Sequence, residues 1–171
     1  MIETERLHLR PHRIDDLRAM HEVTAPPNIR RHLSGPAPTL EDSYAHLLRT
    51  LGGWAEFGYG SFAVIERETD RYVGGVGVFR MLRTIDKDAL EGPEAGWIIA
   101  EDRWGQGYAG EAMAAAQAWF DAAHGPQRTV CMIMPGNTAS ERVAARLGYR
   151  WFRDGRHKDD PARLYERPPT S

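Results

Sequence analysis

The sequence predicts a mixed α/β domain, and three observations carry that prediction. Strand-like stretches, some alternating and some continuously apolar, are interspersed with stretches whose apolar residues recur at helical spacing. Their order is β-α-α-β-β-β-α-β-α-β-β, which places about four helices beside one mixed, mostly antiparallel sheet. Midway, the apolar run Trp97-Ile98-Ile99 passes through a charged turn to Gly105, Gly107 and Gly110, and an Ala-rich helical pattern follows at once. A strand that ends in such a turn and hands over to a helix builds an anion cradle. The first helical N–H groups lack intrahelical partners and carry the positive end of the dipole. Glycine lets backbone approach a ligand with no Cβ in the way. No repeat, low-complexity segment or linker divides residues 1–171, so one domain is expected.

The elements follow in order. Leu7 and Leu9 alternate with polar neighbours, which predicts a half-exposed strand that Pro11 ends. Ile14, Leu17, Ala19, Met20 and Val23 predict a first helix, broken by Ala25-Pro26-Pro27-Asn28. Thr39 is a candidate N-cap, with Asp42 three residues on, for a second helix through Tyr44, Leu47, Leu48, Leu51 and Trp54. Strands are predicted over Ser61–Glu66, Tyr72–Leu82 and Glu94–Ala100, with Thr69-Asp70-Arg71 turning between the first two. Gly74, Gly75 and Gly77 weaken the second of these unless a bulge or a close-passing ligand needs the space, and local packing is the alternative reading for at least two of them. Arg83–Gly92 reads as a charged loop. A helix over Glu111–Ala123, a buried strand over Thr129–Met134 and a short helix over Thr138–Leu147 closed by Gly148 come next. Tyr149–Arg153 and Arg163–Glu166 read as two last strands.

Composition excludes several function classes. A net charge of -2 makes no electrostatic case for nucleic acid. No apolar run reaches the length of a membrane span, and the N-terminus lacks the pattern of a signal peptide, so no membrane partner is expected. The single cysteine, Cys131, fits a reducing cytoplasm; inside an apolar stretch it reads as a small buried hydrophobe rather than a nucleophile. His8 and His12 straddle Pro11 and do not share a helix face, so no metal site is expected. Tyr44, Trp54, Phe57 and Tyr59 are candidates for core packing or an acceptor pocket. Trp151 and Phe152 are candidates for core or for a homodimer face.

The glycine turn lacks the Lys-Ser/Thr of a phosphate-loop NTPase, and it lacks the acidic residue about twenty positions on that a dinucleotide fold uses. A second element follows it downstream, Asn137-Thr138-Ala139-Ser140-Glu141-Arg142-Val143-Ala144-Ala145-Arg146-Leu147-Gly148-Tyr149. Together, Trp104-Gly105-Gln106-Gly107-Tyr108-Ala109 and this later segment resemble the acyl-CoA-binding motifs of the GNAT superfamily of N-acetyltransferases. Glu5-Arg6-Leu7-His8-Leu9-Arg10-Pro11 and Trp-Gly-x-Gly-Tyr-Ala-x-Glu-Ala resemble the branch that includes ribosomal-protein N-terminal acetyltransferases. The resemblance covers nearly the whole chain. It implies a single GNAT-like domain with a splayed sheet and acetyl-CoA in its cleft. Backbone amides from Gly105, Gln106, Gly107, Tyr108, Ala109 and Gly110 would hold the pyrophosphate, Trp97, Ile98 and Ile99 the pantetheine arm, and Asn137 would contact the cofactor.

The implied activity is direct transfer of acetyl to a primary amine, on a small molecule or a protein N-terminus. Such transfer needs a base for the ammonium, a polarised carbonyl and a neutralised thiolate. Many relatives place a tyrosine acid seven residues after the Asn, where this chain has Ala144. Glu94 is the candidate base, directly or through water, and a solvated strand-end carboxylate is its alternative reading. Ser140 is the candidate thiol-side donor, and a helix-turn hydroxyl bonded to backbone is its alternative. The missing tyrosine keeps open a non-catalytic acyl-CoA-binding module.

Overall fold

The computed structural model describes residues 1–33, 35–90 and 92–169 of the chain. Among the described residues ten strands form one sheet. They are β1 (Ile2–Glu3), β2 (Leu7–Pro11), β3 (Ser61–Glu66), β4 (Arg71–Phe79), β5 (Thr84–Ile85), β6 (Asp88–Ala89), β7 (Glu94–Ile99), β8 (Thr129–Ile133), β9 (Arg150–His157) and β10 (Asp160–Arg167). Their spatial order is β1-β2-β3-β4-β7-β8-β10-β9-β5-β6. Every pairing is antiparallel except β7 with β8, which is parallel and joined at the single rung Glu94↔Val130. Past that rung the two strands part, and the sheet is splayed at its middle.

Among the described residues five α-helices flank the sheet: α1 (Leu17–Thr24), α2 (Pro27–Arg30), α3 (Leu40–Phe57), α4 (Tyr108–His124) and α5 (Thr138–Arg146). α3 starts where Thr39 accepts from the Asp42 N–H while Asp42 accepts from the Thr39 N–H, and it stops at left-handed Gly58. Two 3-10 turns, Ile14–Asp16 and Glu101–Arg103, lead into α1 and the glycine turn.

Several boundaries differ from those the sequence predicts, each for a physical reason. α4 begins at Tyr108 rather than Glu111, because Gly107 caps it in the left-handed conformation and Tyr108 is anchored from below. The Pro26-Pro27 break opens a one-turn helix, since proline suits the first helical position. The Arg83–Gly92 loop contains the two-residue strands β5 and β6, too short to show any periodicity; Glu91 lies outside the described residues. β4 ends at Phe79, three residues early. β9 and β10 run on until they meet across a tight turn at Lys158.

The two faces of the central strands differ. Toward α4, Val64, Val73, Val76, Val78, Ala95 and Ile99 pack on Ala112, Met113, Ala116 and Phe120 and form the main core. Trp54 and Tyr59 join this side through edge contacts with Phe62, Trp119 and Phe120. Toward α1 and α3 the register brings up Gly75, Gly77 and Gly96 instead. Packing explains Gly77 and Gly96, while a Cβ at Gly75 would make only ordinary contacts, the nearest at 3.4 Å. A Cβ at Gly77 would stand 2.6 Å from the Gly60 carbonyl oxygen, and one at Gly96 would stand 2.9 Å from the Phe79 ring. Gly74 is tighter still, at 2.2 Å from the Ile98 carbonyl oxygen. Tyr44 and Phe57 are surface residues, as is Trp151, whose indole donates to Asp154. Phe152 is half-buried under Arg128.

Candidate active site

A cleft of about 440 Å³ fills the gap where β7 and β8 part. One wall is Ala95–Ile99, the other Cys131–Met134, and Gly105, Gly107, Tyr108, Ala109 and Gly110 close one end with the start of α4, while the Gln106 side chain donates to the Asp102 carbonyl outside the wall. Backbone alternation decides which groups look into the gap. The Ala100 N–H donates to the Val73 carbonyl, so even residues of β7 bond to β4. Trp97 and Ile99 therefore turn their N–H and C=O groups toward the cleft. The Trp104 indole takes the Ile99 carbonyl at 2.8 Å, and the Ile99 N–H faces the gap.

The glycine turn is held from behind. Tyr108 donates to Glu66 at 2.6 Å, and Arg103 donates to both oxygens of the same carboxylate at 2.8 and 3.0 Å. The Arg103 guanidinium with the Thr69 and Tyr108 hydroxyls pulls the Glu66 carboxyl down to about 2. Arg6 pairs with Glu111 at 2.6 Å, donates to the Gln106 carbonyl at 2.9 Å and lies over the Tyr108 ring. Three chain segments thus fix one turn. Its own N-terminal cap is different in kind: no side chain bonds the α4 start at Gly107, whereas Thr39 caps α3. A Cβ at Gly105 or Gly110 would meet nothing within 4 Å. The uncapped helix start and the open space in front of it suit a phosphate. Residues Gly105 to Gly110 therefore fit the anionic part of acetyl-CoA, and the gap between the strands fits its extended arm.

The other predicted residues divide. Asn137 caps α5, accepting from the Ser140 N–H at 3.1 Å, and lines the cleft with Ser140. Trp97 donates its indole N–H to Ser140 Oγ at 3.2 Å, so the two walls meet at that hydroxyl. Ser140 Oγ is not spent on backbone. Glu94 stands elsewhere. It is buried at the closed end of the splay, receives Arg83 Nε at 2.7 and 2.9 Å, and is not part of the cleft wall. Burial raises its pKa and the Arg83 guanidinium opposes that rise. Ala144 is fully buried. Cys131 is buried as expected but also forms part of the wall; burial, then the Glu94 charge, pushes its thiol up, so it stays protonated.

Sequence reasoning passed over Ile29 and Leu33, which with His32 reach the cleft from α2 and the turn after it, and Arg142 and Arg146 on α5. The Arg142/Arg146 spacing of one helical turn was a readable signal for a cationic wall. The α2 residues carried none, because their place depends on how α2 docks. Among the described residues no group of His, Cys, Asp and Glu is arranged to hold a metal, and no helix is long and apolar enough to cross a membrane.

Known proteins share this architecture. The family model for the acetyltransferase (GNAT) domain matches residues 6–150. The uncharacterized N-acetyltransferase YnaD of Bacillus subtilis is 27% identical over 149 residues, which span 87% of this chain and 82% of YnaD. A solved protein of Bordetella pertussis assigned to the GnaT family superposes with a TM-score of 0.85 at 28% identity, covering 97% of this chain and 98% of that one. An acetyltransferase of Agrobacterium tumefaciens gives 0.82 at 28%, covering 96% and 92%. RimL, a ribosomal L7/L12 α-N-protein acetyltransferase solved with coenzyme A, shares the fold at TM-score 0.76 and 18% identity, covering 97% and 96%. Because the family model covers residues 6–150, most of the chain, the chain belongs to the GNAT acetyltransferase family.

Proposed function

We propose that the chain transfers the acetyl group of acetyl-CoA directly to a primary amine, on a small molecule or a protein N-terminus. The observation that carries this reading is the parting of β7 and β8 beside an uncapped helix start, a cleft with an anion cradle at one end. Bound there, acetyl-CoA supplies an activated acyl group. The residues of this chain do the rest. Residues Gly105 to Gly110 hold the phosphates by backbone N–H groups, with Arg142 and Arg146 adding charge from the facing wall. The Ile99 N–H, turned to the gap, is the donor for negative charge on the thioester oxygen. Ser140, oriented by the Trp97 indole, donates to the departing sulfur. Glu94 serves as base in this scheme only through water and only once its pair with Arg83 opens.

RimL acetylates a protein N-terminus, and that likeness supports a peptide acceptor as one arm of the test. Purified protein is incubated with acetyl-CoA and a panel of amines, amino acids and short peptides, and free thiol is read. The reading expects thiol release with at least one amine. It also expects Ser140→Ala to lower kcat by about a hundredfold, as loss of a general acid does, with acetyl-CoA affinity kept. Calorimetric binding with no thiol release from any acceptor would establish the non-catalytic binding module instead, which the buried Ala144 leaves open.

A further inference from the structure

His12 is 5% exposed and makes two polar contacts on the sheet face that looks toward α1 and α3. Its Nδ1 lies 3.0 Å from the Ser61 carbonyl oxygen and its Nε2 3.2 Å from Tyr72 Oη. A carbonyl can only accept, so Nδ1 carries the hydrogen; in the neutral ring Nε2 is then an acceptor and Tyr72 donates to it. The pair has a fixed direction, hydroxyl to imidazole.

Its location is set by register. The His12 ring stands 3.6 Å from where a Cβ would sit on Gly75. Gly75 is the cross-strand partner of Ile98, and Gly77 that of Gly96. At Gly75 no β4 side chain stands between the His12 ring and Ile98, whereas the Phe79 ring of β4 lies over Gly96. Gly75 and Ile98 keep partial solvent access in the middle of the sheet. Ile98 also lines the cleft, whose wall includes neither His12 nor Tyr72. Ile98 thus joins this face of the sheet, opposite α4, to the cleft. Glu94 stands on the same face, but four residues back along β7, about 13 Å at strand rise, and Arg83 neutralises it.

We propose that Tyr72 and His12 form the proton outlet for the acceptor amine, with Tyr72 Oη as the group that meets the amine and His12 Nε2 as the final acceptor. This deepens the acetyl-transfer reading and rests on it. The acceptor ammonium gives a proton to Tyr72 Oη as the Tyr72 hydroxyl proton passes to His12 Nε2, leaving a neutral amine and an imidazolium. The amine nitrogen then forms the C–N bond and the C–S bond breaks. Ser140 gives its proton to the sulfur, the second proton of the nitrogen passes through water to the Ser140 oxygen, and His12 returns its proton to water. The charged and titratable groups around His12 are Arg10 on its own strand, Asp16 in the following turn, Tyr72 on β4 and His46 on α3. Arg10 and Asp16 are paired with each other at 2.7 Å.

The test is kcat/KM against pH for the wild-type protein, His12→Gln, Tyr72→Phe and Glu94→Gln, with an amine that the panel identifies. Burial lowers the His12 pKa, so the wild-type acid limb should fall below the ordinary histidine value. His12→Gln and Tyr72→Phe should each lose about a hundredfold at neutral pH and lose that limb, the rate then climbing steadily with pH. Calorimetric affinity for acetyl-CoA should stay within about threefold, which a disrupted fold would not allow. The relay is overturned if either folded variant keeps wild-type kcat/KM and limb, or if Glu94→Gln alone removes the limb. Should His12→Gln fail to fold, Tyr72→Phe decides, because its ring still packs. A wild-type protein that binds acetyl-CoA but releases no thiol ends the acetyl-transfer reading, and the relay with it.

Discussion

Replacing Tyr108 by Phe removes one hydroxyl from the network under the glycine turn and changes little else. That hydroxyl donates to a Glu66 carboxylate that is 5% exposed and also takes Arg103 and Thr69. A hydrogen bond to a charged group is worth about 1.5–3 kcal/mol. For a chain of this size each kcal/mol moves Tm by about 2–4 °C, so Tyr108→Phe should melt about 3–12 °C lower. The pH dependence identifies the cause. Glu66 titrates near 4.5 in the unfolded chain and is held down to about 2 in the fold. Its network therefore contributes stability above the unfolded value, and that contribution is lost as pH falls through the folded one. The difference between the two proteins should be full at pH about 7 and smaller near pH 3, where the variant's carboxyl protonates first. Denaturant unfolding at both pH values reads it, and acetyl-CoA affinity should weaken in parallel as the turn loosens. A difference below about 0.5 kcal/mol, or one that stays flat with pH, would refute the idea that Tyr108 acts through a charged Glu66.

Two further outcomes follow from the same packing. Arg83→Ala strands Glu94 as a buried, unpaired carboxylate and should cost about 3–5 kcal/mol near neutral pH. Because burial raises the Glu94 pKa, that loss should shrink as pH falls and the carboxyl protonates; unfolding curves at neutral and mildly acid pH check it. Gly74→Ala puts a methyl against the Ile98 carbonyl oxygen, backbone that cannot swing aside, and should cost about 3 kcal/mol. Thermal unfolding reads that loss, and a variant as stable as the parent would show that β4 and β7 are not so closely packed there.

Local chemistry was legible because it is written in neighbouring residues. Thr39 and Asp42 lie three apart, so the start of α3 follows from the sequence, and the capping bonds form as predicted. The glycine turn, the following helix and the later Asn137-to-Gly148 segment carry their spacing with them, and the cradle and α5 stand where that spacing puts them. Short or context-made elements were not legible. β5 and β6 have two residues each, and α2 is one turn that exists by docking on α1.

The chemistry of single side chains was decided in three dimensions. By sequence, Glu94 is either a candidate base or a solvated strand-end carboxylate; burial and Arg83, eleven residues earlier, make it half of an ion pair. Glu66 lies 37 residues from Arg103 and 42 from Tyr108 and carries no pattern shared with them, yet the three form the support of the glycine turn. His12 looked like half of a poor metal pair until the β3–β4–β7 register set it over Gly75 and beside Tyr72. The sequence alone determined the order of the longer elements and the family motifs, because those depend on backbone conformation and local spacing. Only the tertiary structure decided which side chains are charged, paired or accessible, because burial and cross-strand register are set by residues far away in the chain.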